Sequence, residues 1–310
     1  MSTDSVDEVI GQLGYQPEIA TLRQTISDWL CKADSEMQEA LNWQFGGNSK
    51  YFRPMTVFSC HRSCVPGQIP EHILRSALVI EMFHNVSLII DDIVDKSSHR
   101  RGKHTLHYEF GDLSALMISG YIVADAYRLV ADDKHNIRLF SELMSRLGVA
   151  EVMQWRLRRQ PLGVEDWRKI AGEDTGSMFE VCACLGTRND ALRKFGGLLG
   201  LVYHGCDDVA DVMGLEALGG GGEEDIRDGI LTLPAALAIR DPEIRDLFCK
   251  PNPCDADLSL LREAFMEKLP EAEQYLDGIA NEARVEARLF ARNPEPLYAI
   301  VDHTRELSQR

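Results

Sequence analysis

Apolar residues recur along most of this chain at three- and four-residue intervals, the spacing that lines one face of a helix. Leu116 to Ala131 and Leu260 to Leu269 are examples. Period-2 alternation, the mark of half-buried strands, is scarce. Prolines gather between the periodic segments, as in Pro66-Gly67-Gln68-Ile69-Pro70 and Lys250-Pro251-Asn252-Pro253, which read as turns between helices. The pattern predicts an all-α protein.

Two helical stretches break their own apolar pattern in the same way. Ala77 to Ile90 leads into Asp91-Asp92-Ile93-Val94-Asp95, and Phe195 to Tyr203 leads toward Asp207-Asp208-Val209-Ala210-Asp211. Both runs have the form D-D-x-x-D. On a helix the first and fifth residues lie about 40° apart and the second about 100° from the first. Each run therefore aims two carboxylates at nearly one spot, with a third beside them. One such run is compatible with a solvated acidic face. Two, each embedded in apolar sequence, call for neutralisation, which hard divalent cations supply, with Mg²⁺ bridging to a phosphate ligand the leading choice.

The stretch that follows the first run, D-D-I-V-D-K-S-S-H-R-R-G-K-H-T-L-H over residues 91 to 107, resembles the first aspartate-rich motif of the trans-prenyl diphosphate synthases. Those all-α enzymes extend an allylic diphosphate with isopentenyl diphosphate. Gly46-Gly47 followed by Arg53-Pro54 resembles the family's G-G-K-x-x-R-P element with two extra residues. His84 falls where the family has a histidine ahead of the first motif. Thr175-Gly176 and Asp225 to Pro234 match later elements in order. The agreement spans roughly residues 40 to 240.

The resemblance implies an isoprenoid synthase-type helical bundle whose two aspartate helices face each other across a deep apolar cavity. Asp91, Asp92, Asp95, Asp207, Asp208 and Asp211 would coordinate up to three Mg²⁺ ions. Arg100 would hold the allylic diphosphate, and Arg53, His84 and Arg101 the isopentenyl diphosphate. Thr175 and His204 would complete the substrate-binding set. Homodimers are common in the family. No covalent enzyme intermediate is needed, and no Ser/His/Asp or Cys/His constellation is present.

Several positions depart from the family pattern. Asp174 and Ile230 stand where lysines usually help hold the allylic diphosphate, His204 replaces a glutamine, and Asn48 replaces the lysine after Gly46-Gly47, for which Lys50 is a candidate substitute. Each lost charge-assisted contact is worth roughly 1.5–3 kcal/mol. Two alternatives therefore stand beside chain elongation. One is a terpene synthase cyclising a single prenyl diphosphate, against which the retained Arg53, His84 and Arg101 argue. The other is a weakly catalytic regulatory subunit, against which the six aspartates argue. Within the elongation reading, Ser87 and Val86, four and five residues before the first aspartate, are small where bulky residues stop growth early. The product is expected to pass C15, with geranylgeranyl diphosphate (C20) as the expected stop. Phe83 is a candidate for the next floor.

The remaining features bound the picture. The chain has 310 residues and a net charge of −16, which disfavours nucleic acid as a partner. Residues 1–16 are acidic and polar and predict a poorly ordered segment, leaving 17–310 as one all-α domain. No apolar run approaches the 18 residues of a membrane span, and no signal peptide is evident, so a cytoplasmic protein is expected. None of the eight cysteines forms a C-x-x-C pair, and they read as buried thiols. Lys96 to His104 reads as a basic loop. Gly219 to Gly222 reads as a flexible lid or connector, not a phosphate-binding P-loop.

Overall fold

The computed structural model describes residues 3–47, 49–100, 102–214 and 222–308. Arg101 and most of the glycine run at 219–222 lie outside the described residues. The chain divides into two compact units, one of residues 1–141 with 182–190, the other of residues 142–181 with 191–310.

The first unit opens with α1 (Thr3–Leu13), α2 (Gln16–Lys32), α3 (Ser35–Phe45) and α4 (Phe52–Cys64). The acidic opening of the chain is thus helical, contrary to expectation. Val6, Val9 and Ile10 are buried, and their helical spacing gives α1 an apolar face that its composition conceals. Next comes α5 (Glu71–Val94), the longest helix, which packs against α2, α4 and α7 (Asp112–Leu129). By length and composition α5 would suffice to cross a membrane, although no uninterrupted apolar run suggested it. Scattered polar residues such as Glu81 and Asn85 break the run without changing its average. Of its most apolar 18-residue stretch, 72% is buried inside the protein, as a core helix requires. Phe83 stacks on Phe140 with centroids 4.9 Å apart and meets Tyr127 edge-on at 5.6 Å.

The supposed loop after α5 is a small antiparallel hairpin, β1 (His99–Arg100) and β2 (Lys103–His104), too short to show alternation in sequence. A short α6 (Leu106–Phe110) joins it to α7. Two further helices, α8 (Lys134–Arg156) and α10 (Ser177–Thr187), contribute residues to both units.

In the second unit α9 (Val164–Ala171) runs into a π-helical turn, Gly172–Gly176. The central helix is α11 (Arg193–Met213), packed against α16 (Leu269–Phe290), α17 (Glu295–Arg305) and the π-turn. It ends where Gly214 adopts a left-handed conformation with φ of 72°, a cap that glycine supplies without steric cost. Between them lie α12 (Gly222–Asp228), α13 (Leu233–Ala238), α14 (Pro242–Phe248) and α15 (Asp255–Glu267). Thr232 caps α13 and Asp241 caps α14 through side-chain oxygens. All eight cysteines are free thiols; Cys60, Cys182, Cys184 and Cys206 are buried as expected, whereas Cys31 and Cys254 are exposed.

Candidate active site

The first aspartate run occupies the last turn of α5. Asp95 caps the helix, its N–H reaching the Asp91 carbonyl at 2.8 Å. Asp92 is buried, only 3% exposed. The chain then turns through Lys96, at φ of 54°, into the hairpin. Strand residues that pair across a ladder share a face. Arg100 and Lys103 are such a pair, and both are half-buried. Arg100 donates from Nε to Asp92 Oδ1 at 2.7 Å, and Lys103 donates to the Trp43 carbonyl at 2.8 Å while lying 4.0 Å from the centre of its ring. Burial pushes the Asp92 carboxyl above its ordinary range, and Arg100 opposes that shift without cancelling it. The expected diphosphate ligand Arg100 is thus engaged with the motif itself through one of its five N–H donors.

One face of α5 carries the next group. His84 lies seven residues before Asp91, about 20° away around the helix, with Ser87 between them. Arg53, on α4, donates from Nη1 to His84 Nε2 at 3.1 Å. Arginine has no acceptor, so this imidazole nitrogen accepts and its proton sits on Nδ1. The sequence expected these two residues to share a ligand, and the fold brings them together.

In the second unit Asp208 is buried, 7% exposed, and its Oδ2 accepts two hydrogen bonds. One comes from the indole N–H of Trp167 on α9 at 2.8 Å, the other from the backbone N–H of Leu233, first residue of α13, also at 2.8 Å. Its Oδ1 lies 3.7 Å from His204 Nε2. The other imidazole nitrogen, Nδ1, is 3.0 Å from the Thr175 hydroxyl, which also reaches Asp174 at 3.0 Å. If the threonine proton goes to Asp174, Nδ1 is the donor to Thr175. Burial alone would lower the His204 pKa, but Asp208, Asp174, Asp207 and Asp225 outweigh it and raise the value. Burial likewise lifts Asp208, with His204 and its two hydrogen-bond donors opposing.

Thr175 and Asp174 sit in the π-turn, a local widening of the helix that often occurs at functional sites. Arg146 holds the turn from outside, donating to Glu173 at 2.8 Å and Glu180 at 2.6 Å. Gly200 lets α11 approach it closely. A Cβ at position 200 would lie 2.7 Å from Gly176 Cα and 2.9 Å from the Thr175 carbonyl oxygen.

The two runs share more than a spacing. In each, the second aspartate is buried and tied down by a neighbour's N–H, while the first and fifth are more exposed. Those two are the i and i+4 positions, which share a face. Asp91 with Asp95, and Asp207 with Asp211, are therefore the pairs best placed to hold an ion. Among the described residues no three His, Cys, Asp or Glu side chains converge on one point. An ion held by one pair would need further oxygens from a ligand, as Mg²⁺ does when it binds by one or two carboxylates and substrate phosphates. An all-oxygen donor set fits Mg²⁺ and disfavours softer ions.

Residues 34–262 match the polyprenyl synthetase family. The chain belongs to that family. Enzymes of this family are Mg²⁺-dependent prenyltransferases acting on small prenyl diphosphates, and this chain is a prenyl diphosphate synthase of the trans-elongating type. It is similar to a nonaprenyl diphosphate synthase of Mycobacterium tuberculosis, with 28% identity over 309 residues, covering 92% of this chain and 91% of the relative. The same fold is found in a heptaprenyl diphosphate synthase from Staphylococcus aureus, with a TM-score of 0.85 and 19% identity, covering 95% of this chain and 98% of that one. It recurs in a polyprenyl synthase from Caulobacter crescentus complexed with calcium and isoprenyl diphosphate, with a TM-score of 0.84 and 24% identity, covering 98% of each chain.

Sequence reasoning missed Trp167, the Leu233 N–H and Arg146. They lie 41, 25 and 27 residues from the groups they hold. Nothing in an amphipathic helix marks which tryptophan faces an aspartate. Neither Asp174 nor Ile230 supplies a cation, and the groups that hydrogen-bond around Thr175 are Asp174 and His204.

Proposed function

We propose that this synthase condenses isopentenyl diphosphate with an allylic diphosphate and releases a product longer than C15, with geranylgeranyl diphosphate as its principal product. The observation that carries the reading is the Arg53–His84 pair at 3.1 Å, whose histidine lies on the same helix as the first aspartate run. A cyclising enzyme has no second diphosphate for that pair to bind. Arg53 and His84, with Arg101, would orient isopentenyl diphosphate, so that its alkene lies beside the allylic carbon. The carboxylates of both runs would hold Mg²⁺, which would supply charge to stabilise the leaving diphosphate. Arg100 would add donors to that diphosphate, and Thr175 and His204 would offset the cations absent at 174 and 230. The Caulobacter protein, with calcium and isoprenyl diphosphate bound, supports the use of a hard divalent ion.

Chain length follows from α5. One turn of helix rises about 5.4 Å, close to one isoprene unit. Val86 is buried and small, Ser87 is small and turns its hydroxyl to the His84 carbonyl, and Phe83 is fixed by Tyr127 and Phe140. A floor at Phe83, a turn below Ser87, allows one unit more than a floor at 87. The names of the Mycobacterium and Staphylococcus relatives speak for longer chains, so product length is the finest discriminator.

A homodimer is supported by two apolar stripes. Leu113, Leu116 and Met117, followed by Gly120 and Ala124, are exposed along α7, and Gly148, Val149 and Val152 along α8. Exposed apolar surface of this kind marks sites of protein–protein contact. Sedimentation of the purified chain tests this, and a monomer at micromolar concentration would refute it.

The deciding experiment supplies farnesyl diphosphate and Mg²⁺ with and without isopentenyl diphosphate. A C20 diphosphate that requires isopentenyl diphosphate is the expected result. Hydrocarbon or alcohol from farnesyl diphosphate alone would replace elongation by terpene synthesis, and C30 or longer diphosphates would remove Phe83 as the floor.

A further inference from the structure

The hairpin after the first aspartate run has an outer face whose residues take no part in the chemistry above. Its ladder pairs Arg100 with Lys103 and His99 with His104. Successive strand residues point to opposite faces, so with Arg100 and Lys103 turned to the body of the unit the two histidines share the outer face. Both are exposed, and their rings lie 4.5 Å apart at 69°. Tyr108 closes one side, its ring 4.7 Å from that of His104.

Each imidazole has its Nδ1 held by a different oxygen. His104 Nδ1 is 3.0 Å from Glu109 Oε2, and His99 Nδ1 is 3.0 Å from the Ser98 hydroxyl. A carboxylate accepting from Nδ1–H fixes the tautomer of His104 with its lone pair on Nε2. A carboxylate behind the imidazole is the usual support of a metal-bound histidine. Donation from Nδ1–H to Ser98 would leave His99 the same tautomer. Two imidazoles on one face, each with its Nδ1 turned to an oxygen, suit borderline ions such as Ni²⁺, Zn²⁺ or Cu²⁺ and are a poor match for Mg²⁺.

We propose that His99 and His104, with Glu109 supporting His104, form a surface site for a divalent transition-metal ion, separate from the aspartate runs. Water completes the coordination. The ion staples β1 to β2, and so steadies the strand from which Arg100 reaches Asp92. The inference does not depend on product length or on the choice between elongation and cyclisation.

The test is Ni²⁺ titration of the full chain by calorimetry in excess Mg²⁺, which keeps the hard carboxylate sites occupied. Wild type should bind one Ni²⁺ at this site. Affinity should fall tenfold or more in His99→Gln and in His104→Gln, about tenfold in Glu109→Gln, and not at all in His72→Gln, an exposed histidine elsewhere. Hydrogen exchange of residues 97–105 should slow on Ni²⁺ addition in wild type and in His72→Gln, and not in His99→Gln or His104→Gln. Unchanged affinity in either hairpin variant, or no Ni²⁺ bound by wild type, overturns the site. The Gln variants should keep Mg²⁺-dependent prenyl transfer, which shows that they are folded and separates loss of this site from damage to the active site.

Discussion

Trp167 donates its indole N–H to Asp208 at 2.8 Å, and Leu233 donates its backbone N–H to the same oxygen at the same distance. An acidic side chain on α11 is thereby tied to α9 and to the start of α13. Trp167→Phe removes one donor from a buried carboxylate and should destabilise the protein by about 1.5–3 kcal/mol. Urea denaturation measures it; a change below about 0.5 kcal/mol would show that the bond is incidental.

The buried and exposed members of the first run should fail differently. Asp91→Ala should lower kcat by on the order of 10²–10³ at nearly unchanged stability. Asp92→Ala should also lower activity, but with about 1–3 kcal/mol of stability lost because half-buried Arg100 is left without its carboxylate. Paired kinetics and thermal melts check this. Equal stability losses would erase the distinction between the two positions.

Ser87→Phe places a ring one turn below Asp91. Chain growth should stop about one isoprene unit earlier, so product analysis should show C15 replacing C20. An unchanged product distribution would mean that this face of α5 does not line the growing chain.

Gly200→Ala drives a methyl group into the π-turn backbone. Overpacking of this kind costs about 1–3 kcal/mol, and the displaced Thr175 should raise KM for the allylic substrate more than KM for isopentenyl diphosphate. Equal effects on both constants would dissociate the π-turn from the allylic site.

Asp133 caps the first turn of α8 and pairs with Arg188 through both oxygens, at 2.7 and 3.0 Å. Burial would raise its pKa, but Arg188 and the N–H groups of Asn136 and His135 outweigh burial and hold it below the ordinary 3.8. A depressed folded value stabilises the protein above the unfolded pKa, and the gain disappears as pH falls through the folded one. Asp133→Asn should therefore be less stable than wild type at neutral pH, with the gap shrinking as pH drops below 3.8. A gap constant from pH 7 to pH 3 would contradict the pairing.

The aspartate runs, the helices that carry them and the Arg53–His84 meeting were legible in the sequence because each rests on local spacing or on an ordered set of motifs. Helical order in residues 3–13 was hidden by acidic composition, since three apolar residues suffice for one face. The hairpin was hidden by strands of two residues each. The fate of Asp92 and Asp208 was not legible at all. Spacing gives three carboxylates on one turn, but which of them is buried and tied depends on Arg100, Trp167 and Leu233, and those contacts are made only by the tertiary fold.

Helix α5 runs unbroken from Glu71 to Val94, with Asp91 at one end and Phe83 about 12 Å along the axis from it. On the proposed reading, anchor and stop are thus marks on a single rigid rod. Their separation is a count of residues, indifferent to loops that open or close elsewhere, so the length of the product should hold steady with temperature and Mg²⁺ concentration even where the rate does not.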